Sequence, residues 1–177
     1  MLNGEIYEAT NSEFLEGLLE TRAKLWEFNN LNPREIEKQH SIIRNLLGSH
    51  RENFTINQPF RCDYGCNIHI GENFFANFNL TILDEARVEI GDNAFIGPNV
   101  SIFTACHPLD PQQRNTGVEW AEPVKIGDNV WIGGCVTILP GVSVGDNVVI
   151  GAGSVVTRDI PSDVVVGGNP ARIIKHL

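Results

Sequence analysis

The chain has 177 residues, 42% of them hydrophobic and 20% charged, enough for one domain with a substantial core. Thirteen Lys and Arg stand against 22 Asp and Glu, a formal net charge of -9. No basic run interrupts that balance, which argues against a nucleic-acid partner. No apolar stretch approaches the ~20 residues of a membrane span, and residues 1–20 lack the basic-then-apolar order of a signal peptide. A soluble, cytoplasmic protein without a membrane partner is therefore expected. The four cysteines, Cys62, Cys66, Cys106 and Cys135, are too scattered for a disulfide framework, and Cys62 and Cys66 lack both the spacing and the second pair of a metal site. They read as free thiols.

Residues 1–52 form a helical N-terminal cap. Leu15, Leu18, Leu19, Arg22, Leu25 and Trp26 follow helical spacing, with Asn11 or Ser12 as N-cap. A second short helix is predicted from Asn32-Pro33, with Glu35 three residues beyond the cap. Ile43, Leu46 and Leu47 give it an apolar stripe and Gly48 ends it. Together the two helices should lid one end of the domain.

Beyond Gly48 a repeat takes over. Ile or Val stands at 90, 96 and 102, then at 126, 132, 138, 144, 150 and 156. The gap from 102 to 126 is four sixes, so the chain can leave and return in phase. An earlier run, Ile70, Ala76, Ile82 and Val88, also steps by six but is offset by two, with the slip inside Asp84–Ile90. A period of six fits neither a helix nor a sandwich strand. It fits a short strand and a turn with one aliphatic side chain pointing inward, three faces closing a triangular coil. Residues 53–160 are thus predicted to be mainly β, a solenoid of stacked triangular coils, with a loop protruding over 103–124. The Gly-Asp-Asn triplets at 91–93, 127–129 and 145–147 supply turns tolerant of positive φ. Residues 161–177 leave the period as a C-terminal extension, where Pro170 opens a final short helix.

A solenoid is inert, so chemistry belongs where the repeat breaks. Loop residue His107 is either a solvated surface group or a base, the role its side chain suits near neutral pH. Neighbouring Cys106 reads as packing rather than as a nucleophile. Asn77, in Ala76-Asn77-Phe78-Asn79, is either a turn residue or an amide donor to an oxyanion. Asp84 and Glu85, at the phase slip, are either a solvated turn or acceptors for the hydroxyls of a polyol. Trp131 is either a packing anchor or a ligand platform.

These residues resemble a family. Gly4-Glu5-Ile6-Tyr7, Asn67-Ile68-His69-Ile70-Gly71, Ala76-Asn77-Phe78-Asn79, His107-Pro108, Val130-Trp131-Ile132-Gly133-Gly134 and Gly168-Asn169-Pro170-Ala171-Arg172 occur in the order seen in the maltose/galactoside O-acetyltransferases. The resemblance, which covers nearly the whole chain, implies that the coils over 53–160 form a single-stranded left-handed parallel β-helix of hexapeptide repeats, in an enzyme that moves an acetyl group from acetyl-CoA to a sugar hydroxyl. It implies His107 as general base and Asn77 as stabiliser of the tetrahedral transition state. Glu85 falls at an acceptor-binding aspartate, and Phe75 where some members have tyrosine. Trp131, Gly134, Ala152, Thr157, Arg158, Arg172 and Lys175 fall on positions lining acetyl-CoA. A homotrimer with shared sites, and no metal, is implied as well. The N-terminal acidic residue that touches the acceptor in galactoside members has no secure counterpart, only Glu8, Asn11 or Glu13.

The chemistry agrees with this minimal set. A thioester is already activated, so one base and one oxyanion donor suffice. Arg158, Arg172 and Lys175 make a basic edge suited to the phosphates of coenzyme A. Rival readings are an antibiotic acetyltransferase, a non-catalytic scaffold, and a metal-dependent carbonic anhydrase. The last needs three convergent histidines, whereas the coil region offers only His69 and His107.

Overall fold

The computed structural model describes residues 4–177. A short strand β1 (Tyr7–Glu8) precedes helices α1 (Ser12–Asn30) and α2 (Ile36–Arg44). Asn11 caps α1, its side chain accepting from Glu13 N at 2.9 Å. The buried face of α1 is Thr21, Leu25 and Phe28, spaced i, i+4, i+7, so the predicted stripe is displaced around the helix. Leu15, Leu19 and Trp26 are exposed instead. The Asn32–Glu35 contacts do form: Asn32 N donates to Glu35 Oε2 at 3.3 Å and Arg34 N to Asn32 Oδ1 at 3.0 Å. They close a turn ahead of α2, which starts only at Ile36. Leu25, Phe28, Ile43, Leu46 and Leu47 join the main core and cover its first coil.

The solenoid is built of β2 (Phe54–Ile56), β3 (Phe60–Cys62), β4 (Ile68–Ile70), β5 (Phe74–Ala76), β6 (Leu80–Leu83), β7 (Val88–Ile90), β8 (Phe95–Ile96) and β9 (Ser101–Phe103). The loop then carries β10 (Ala105–Cys106), a four-residue helix α3 (Pro111–Arg114) and β11 (Val118–Ala121). Coiling resumes with β12 (Val124–Ile126), β13 (Trp131–Ile132), β14 (Thr137–Ile138), β15 (Ser143–Val144), β16 (Val149–Ile150) and β17 (Val155–Val156). It ends in β18 (Val164–Gly167) and β19 (Arg172–His176).

Three parallel faces result, about six turns in all. The first is β4-β7-β12-β15, the second β2-β5-β8-β13-β16-β18, and the third β3-β6-β9-β14-β17. Every aliphatic of the later six-residue register, from Ile90 to Val156, is buried in one column. The loop leaves and returns in phase: Ile96 pairs with Ile132 and Ile102 with Ile138.

The phase slip is a wide corner between the third and first faces, and it occurs twice. Ile82 to Ile90 is eight residues where other corners take six, and so is Cys62 to Ile70. Asp84 explains how the wide corners hold. It is fully buried, its Oδ1 accepting from Asp63 N (3.0 Å) and Tyr64 N (2.9 Å), while Asn67 Nδ2 donates to its backbone carbonyl at 2.6 Å. Burial raises its pKa to about 6 despite those donors. Expected at the acceptor, Asp84 is instead a staple between consecutive coils.

The Gly-Asp-Asn triplets divide their labour differently from the prediction. Positive φ belongs to the asparagines, 56° at Asn93, Asn129 and Asn147. Their amides stack as a ladder, Asn93 to Asn129 at 3.0 Å and Asn129 to Asn147 at 3.1 Å. The glycines are needed for close approach: a Cβ at Gly91 or Gly127 would strike Oδ1 of the aspartate in the next coil. That oxygen is occupied, since Asp92 N donates to Asp128 Oδ1 at 2.7 Å.

The predicted C-terminal helix is a strand. After Gly168 turns the chain at φ 100°, β19 runs antiparallel to β18, pairing Val166 with Ile173 and Val165 with Lys175. The last parallel strand leaves unpaired backbone groups, and a returning β-branched segment satisfies them where a helix could not.

Candidate active site

The loop over 103–124 is anchored before it projects. Thr104 is fully buried, donating Oγ1 to Leu83 O at 2.8 Å and accepting from Ala86 N at 2.9 Å. Beyond it, β10 and β11 pair antiparallel, and β1 adds to the other edge of β11 with Tyr7 opposite Glu119. Pro108 is buried, and Arg114 Nη1 donates to the carbonyls of Pro108 (3.0 Å) and Leu109 (3.2 Å). Between these anchors stands His107, its side chain 58% exposed. Its Nδ1 lies 3.7 Å from Glu119 Oε2, a carboxylate only 12% exposed. Nδ1 thus faces the protein, and the rest of the ring is exposed.

Acids and phenols surround this pair. The carboxyl of Glu85 is held well above the ordinary range, first by burial, then by a hydrogen bond with Asp63 and that neighbour's charge, with Glu119 adding to it. Thr104 Oγ1 also reaches Glu85 Oε2 at 3.2 Å. The Tyr7 hydroxyl is buried against Glu119 without reaching good hydrogen-bonding geometry, and burial followed by Glu119 pushes its pKa up. Tyr64 is pushed up to about 12 by burial and then by Glu85. Burial also raises the Cys106 thiol, with Glu122 and Glu85 adding, which opposes thiolate formation.

Phe75 and Asn77 lie elsewhere: they stand at one edge of the third face, Glu85 and His107 at the other. Between them runs β6, whose four residues span roughly 13 Å at strand rise. Asn77 Oδ1 accepts from Phe78 N at 2.8 Å, which turns Nδ2 outward as a donor. Phe75 packs on Phe95, ring centroids 6.3 Å apart, and Trp131 continues the column by pairing with Phe95. Phe95 and Trp131 are more than half exposed on the second face.

The remaining predicted residues form two groups. Gly134 and Ala152 follow the same corner as Asn77, one coil apart, where a Cβ at Gly134 would press on Pro98 O at 3.2 Å. Thr157, Arg158 and Arg172 line one cleft of about 170 Å³ near the C-terminal end. Lys175 lies outside that cleft, exposed on β19. His69 stands on the first face, hydrogen-bonded to Ser49 Oγ at 2.8 Å. Among the described residues, no group of three or more His, Cys, Asp or Glu is arranged to hold a metal ion.

Sequence reasoning missed Glu119, Asp63 and Tyr7 as parts of the site. Tyr7 was visible only as a motif residue; Glu119 could have been found by pairing the two ends of the loop as a hairpin.

Known proteins share this sequence and this fold. Residues 123–158 match the bacterial transferase hexapeptide (six repeats) family, and residues 1–51 the maltose acetyltransferase hexapeptide capping motif. The galactoside O-acetyltransferase of Escherichia coli strain K12 is 47% identical over 170 residues, 94% of this chain and 84% of the relative. This chain belongs to the maltose/galactoside O-acetyltransferase family. Its fold is shared with the crystal structure of a maltose O-acetyltransferase from Clostridium difficile 630, at TM-score 0.96 and 50% identity, covering 99% of this chain and 94% of that one. A galactoside acetyltransferase in complex with coenzyme A aligns at TM-score 0.95 and 45% identity, covering 98% and 87% respectively.

Proposed function

We propose that the protein is an acetyl-CoA-dependent O-acetyltransferase acting on a hydroxyl of a sugar or glycoside, in the cytoplasm and as a homotrimer. The observation that carries this reading is His107, exposed at the root of an anchored loop with Nδ1 against the sheltered carboxylate of Glu119. The family supports the donor, since a relative is known in complex with coenzyme A.

In this mechanism the acceptor hydroxyl oxygen attacks the thioester carbonyl while Nε2 of His107 takes its proton. Glu119 steadies the imidazolium that forms. Nδ2 of Asn77 donates to the oxyanion. Collapse of the tetrahedral intermediate expels the thiolate of coenzyme A, which recovers the proton from His107. Glu85 and Asp63 orient the acceptor by hydrogen bonds to its hydroxyls. Gly134, Ala152 and Trp131 line the pantetheine, and Thr157, Arg158, Arg172 and Lys175 the nucleotide.

The trimer is supported by two features. His107 and Asn77 stand at opposite edges of one face, so a neighbour's Asn77 has to complete the site. Exposed Phe95 and Trp131, with half-buried Phe75 beside them, form apolar surface that association would cover. The four free thiols suit a reducing cytoplasm.

The test is thiol release from acetyl-CoA in the presence of a panel of sugars and glycosides, with light scattering on the same sample. Acceptor-dependent release from a trimer is expected. No release with any hydroxyl acceptor would overturn the enzymatic reading, and an active monomer would overturn the shared site.

A further inference from the structure

A cavity of about 370 Å³ lies between α1 and the outer surface of the third face. Arg22, Trp26 and Asn29 line it from the helix, Arg61 and Thr81 from the strands, and Asp63 from the wide corner. Trp26 is 71% exposed. The helix buries Thr21, Leu25 and Phe28, so this indole plays no part in holding α1 to the solenoid. Its ring, with Leu25, Cys62 and Leu83, makes the apolar wall of the cavity, and the polar groups stand around that wall, the arrangement suited to the C–H face of a sugar.

Its charge is equally unusual. In a chain of 13 bases and 22 acids, basic residues readily find carboxylates. Yet among the described residues neither Arg22 nor Arg61 takes part in an ion pair; the pairs that form are Lys38–Glu27, Arg87–Glu89, Lys125–Glu89 and His107–Glu119. The acid that lines the cavity is Asp63, and its carboxyl is engaged with Glu85. Two guanidiniums and an open indole therefore face one cavity, and Asp63 forms its border with the pocket around Glu85, Glu119 and His107.

We infer that the acceptor carries an anionic group, a carboxylate or a phosphate, distal to the reacting hydroxyl, held by Arg22 and Arg61 with the adjoining sugar ring on Trp26. This rests on the acetyltransferase reading and adds a substrate class to it. The two halves of the site divide the acceptor. Near His107, carboxyls and phenols receive hydroxyls; beyond Asp63, forked guanidinium donors match the paired oxygens of an oxyanion.

Matched acceptors test it with the assembled full-length protein and acetyl-CoA: glucose 1-phosphate against methyl α-glucoside for the phosphate arm, maltobionate against maltitol for the carboxylate arm. The charged member of at least one pair should show about a tenfold or higher kcat/KM at low ionic strength, since charge-assisted bonds are at stake. That preference should shrink with added sodium chloride. The double variant Arg22→Ala/Arg61→Ala should bring it toward parity, whereas Lys125→Ala, removing a cation from the first face, should leave it intact. Equal rates within both pairs would overturn the inference. So would a double variant that loses both members equally or changes the assembled mass in light scattering, because the arginines would then pair with a neighbouring copy. Failure of the acetyltransferase reading looks different: none of the four acceptors is turned over. Calorimetric binding of glucose 1-phosphate and maltobionate still decides the cavity in that case, being expected for the wild type and lost in the double variant. Absence of binding to the wild type would overturn the inference.

Discussion

The coil and the loop that interrupts it are held in different ways. In the coil, a side chain is fixed by its place in the period: Ile96, Ile132 and Ile150 occupy equivalent positions in successive turns and are equally buried. In the loop, each position depends on a particular partner. Thr104 ties the root to Leu83 and Ala86, Arg114 holds the two carbonyls after His107, and Glu119 faces the imidazole. The buried aliphatics of the coil should tolerate exchange for one another without touching the chemistry, whereas the loop, which on the proposed mechanism positions the base, should tolerate little. Stability and activity should therefore separate along this boundary.

The largest separation is expected at His107. His107→Ala should lower kcat by about 10²–10⁴-fold, the usual share of a general base, with little change in melting temperature because the side chain is exposed. A matching loss of stability would mean that the histidine is structural. The converse change is Ile138→Ala in the buried column, which should cost about 2–5 kcal/mol of folding free energy. Denaturant unfolding checks this, and the KM for acetyl-CoA below the transition should be unaltered.

Glu85 sits where the two regions meet, and its effect depends on pH. A carboxyl whose pKa is raised on folding stabilises the native state below its unfolded value near 4.5. That contribution is lost as pH rises toward the folded value of about 8. Glu85→Gln, which cannot ionise, should stabilise the protein by about 1 kcal/mol or more at pH 8 and change little at pH 4, below the unfolded value. Thermal melts across that range would contradict the raised Glu85 carboxyl if the two proteins kept parallel curves. The smallest effect is expected at the far end of the coil. Arg172→Glu should raise the KM for acetyl-CoA several-fold, more at low ionic strength, and leave kcat nearly intact.

The same boundary governs what could be read from the sequence. Nine aliphatics in phase announce a coil, and four sixes between Ile102 and Ile126 announce a loop that returns in register, because period is a one-dimensional property. The wide corner at Asp63–Asn67 escaped because a single coil before it gives no phase to slip from. The buried face of α1 is displaced because Gly17 and Thr21 lie against Tyr64 of the first wide corner, which turns Leu15 and Leu19 toward solvent although they look like core in a sequence. The C-terminal strand was misread since Pro170 signals a helix start locally, while the open edge of β18 is a tertiary fact. In the site, His107 and Asn77 stood out as irregularities in the repeat. Glu119 and Tyr7 did not, since 112 residues separate them and only strand pairing brings them together. Asp84 and Glu85 are adjacent in sequence and have opposite fates, one sealed in a corner and one facing the pocket, because neighbours in extended chain point to opposite sides.

The central claim is that one site draws His107 from one protomer and Asn77 from another. Complementation between two inactive variants tests it most directly. His107→Ala and Asn77→Ala proteins, each assembled alone, should have little activity. When the two are unfolded together and reassembled in equal amounts, a shared site pairs an intact His107 with an intact Asn77 by chance at about one boundary in four. Activity should then return to about a quarter of the wild-type value. Activity no higher than the mean of the two parents, in a sample shown to contain mixed assemblies, would contradict the shared site and return both residues to a single chain.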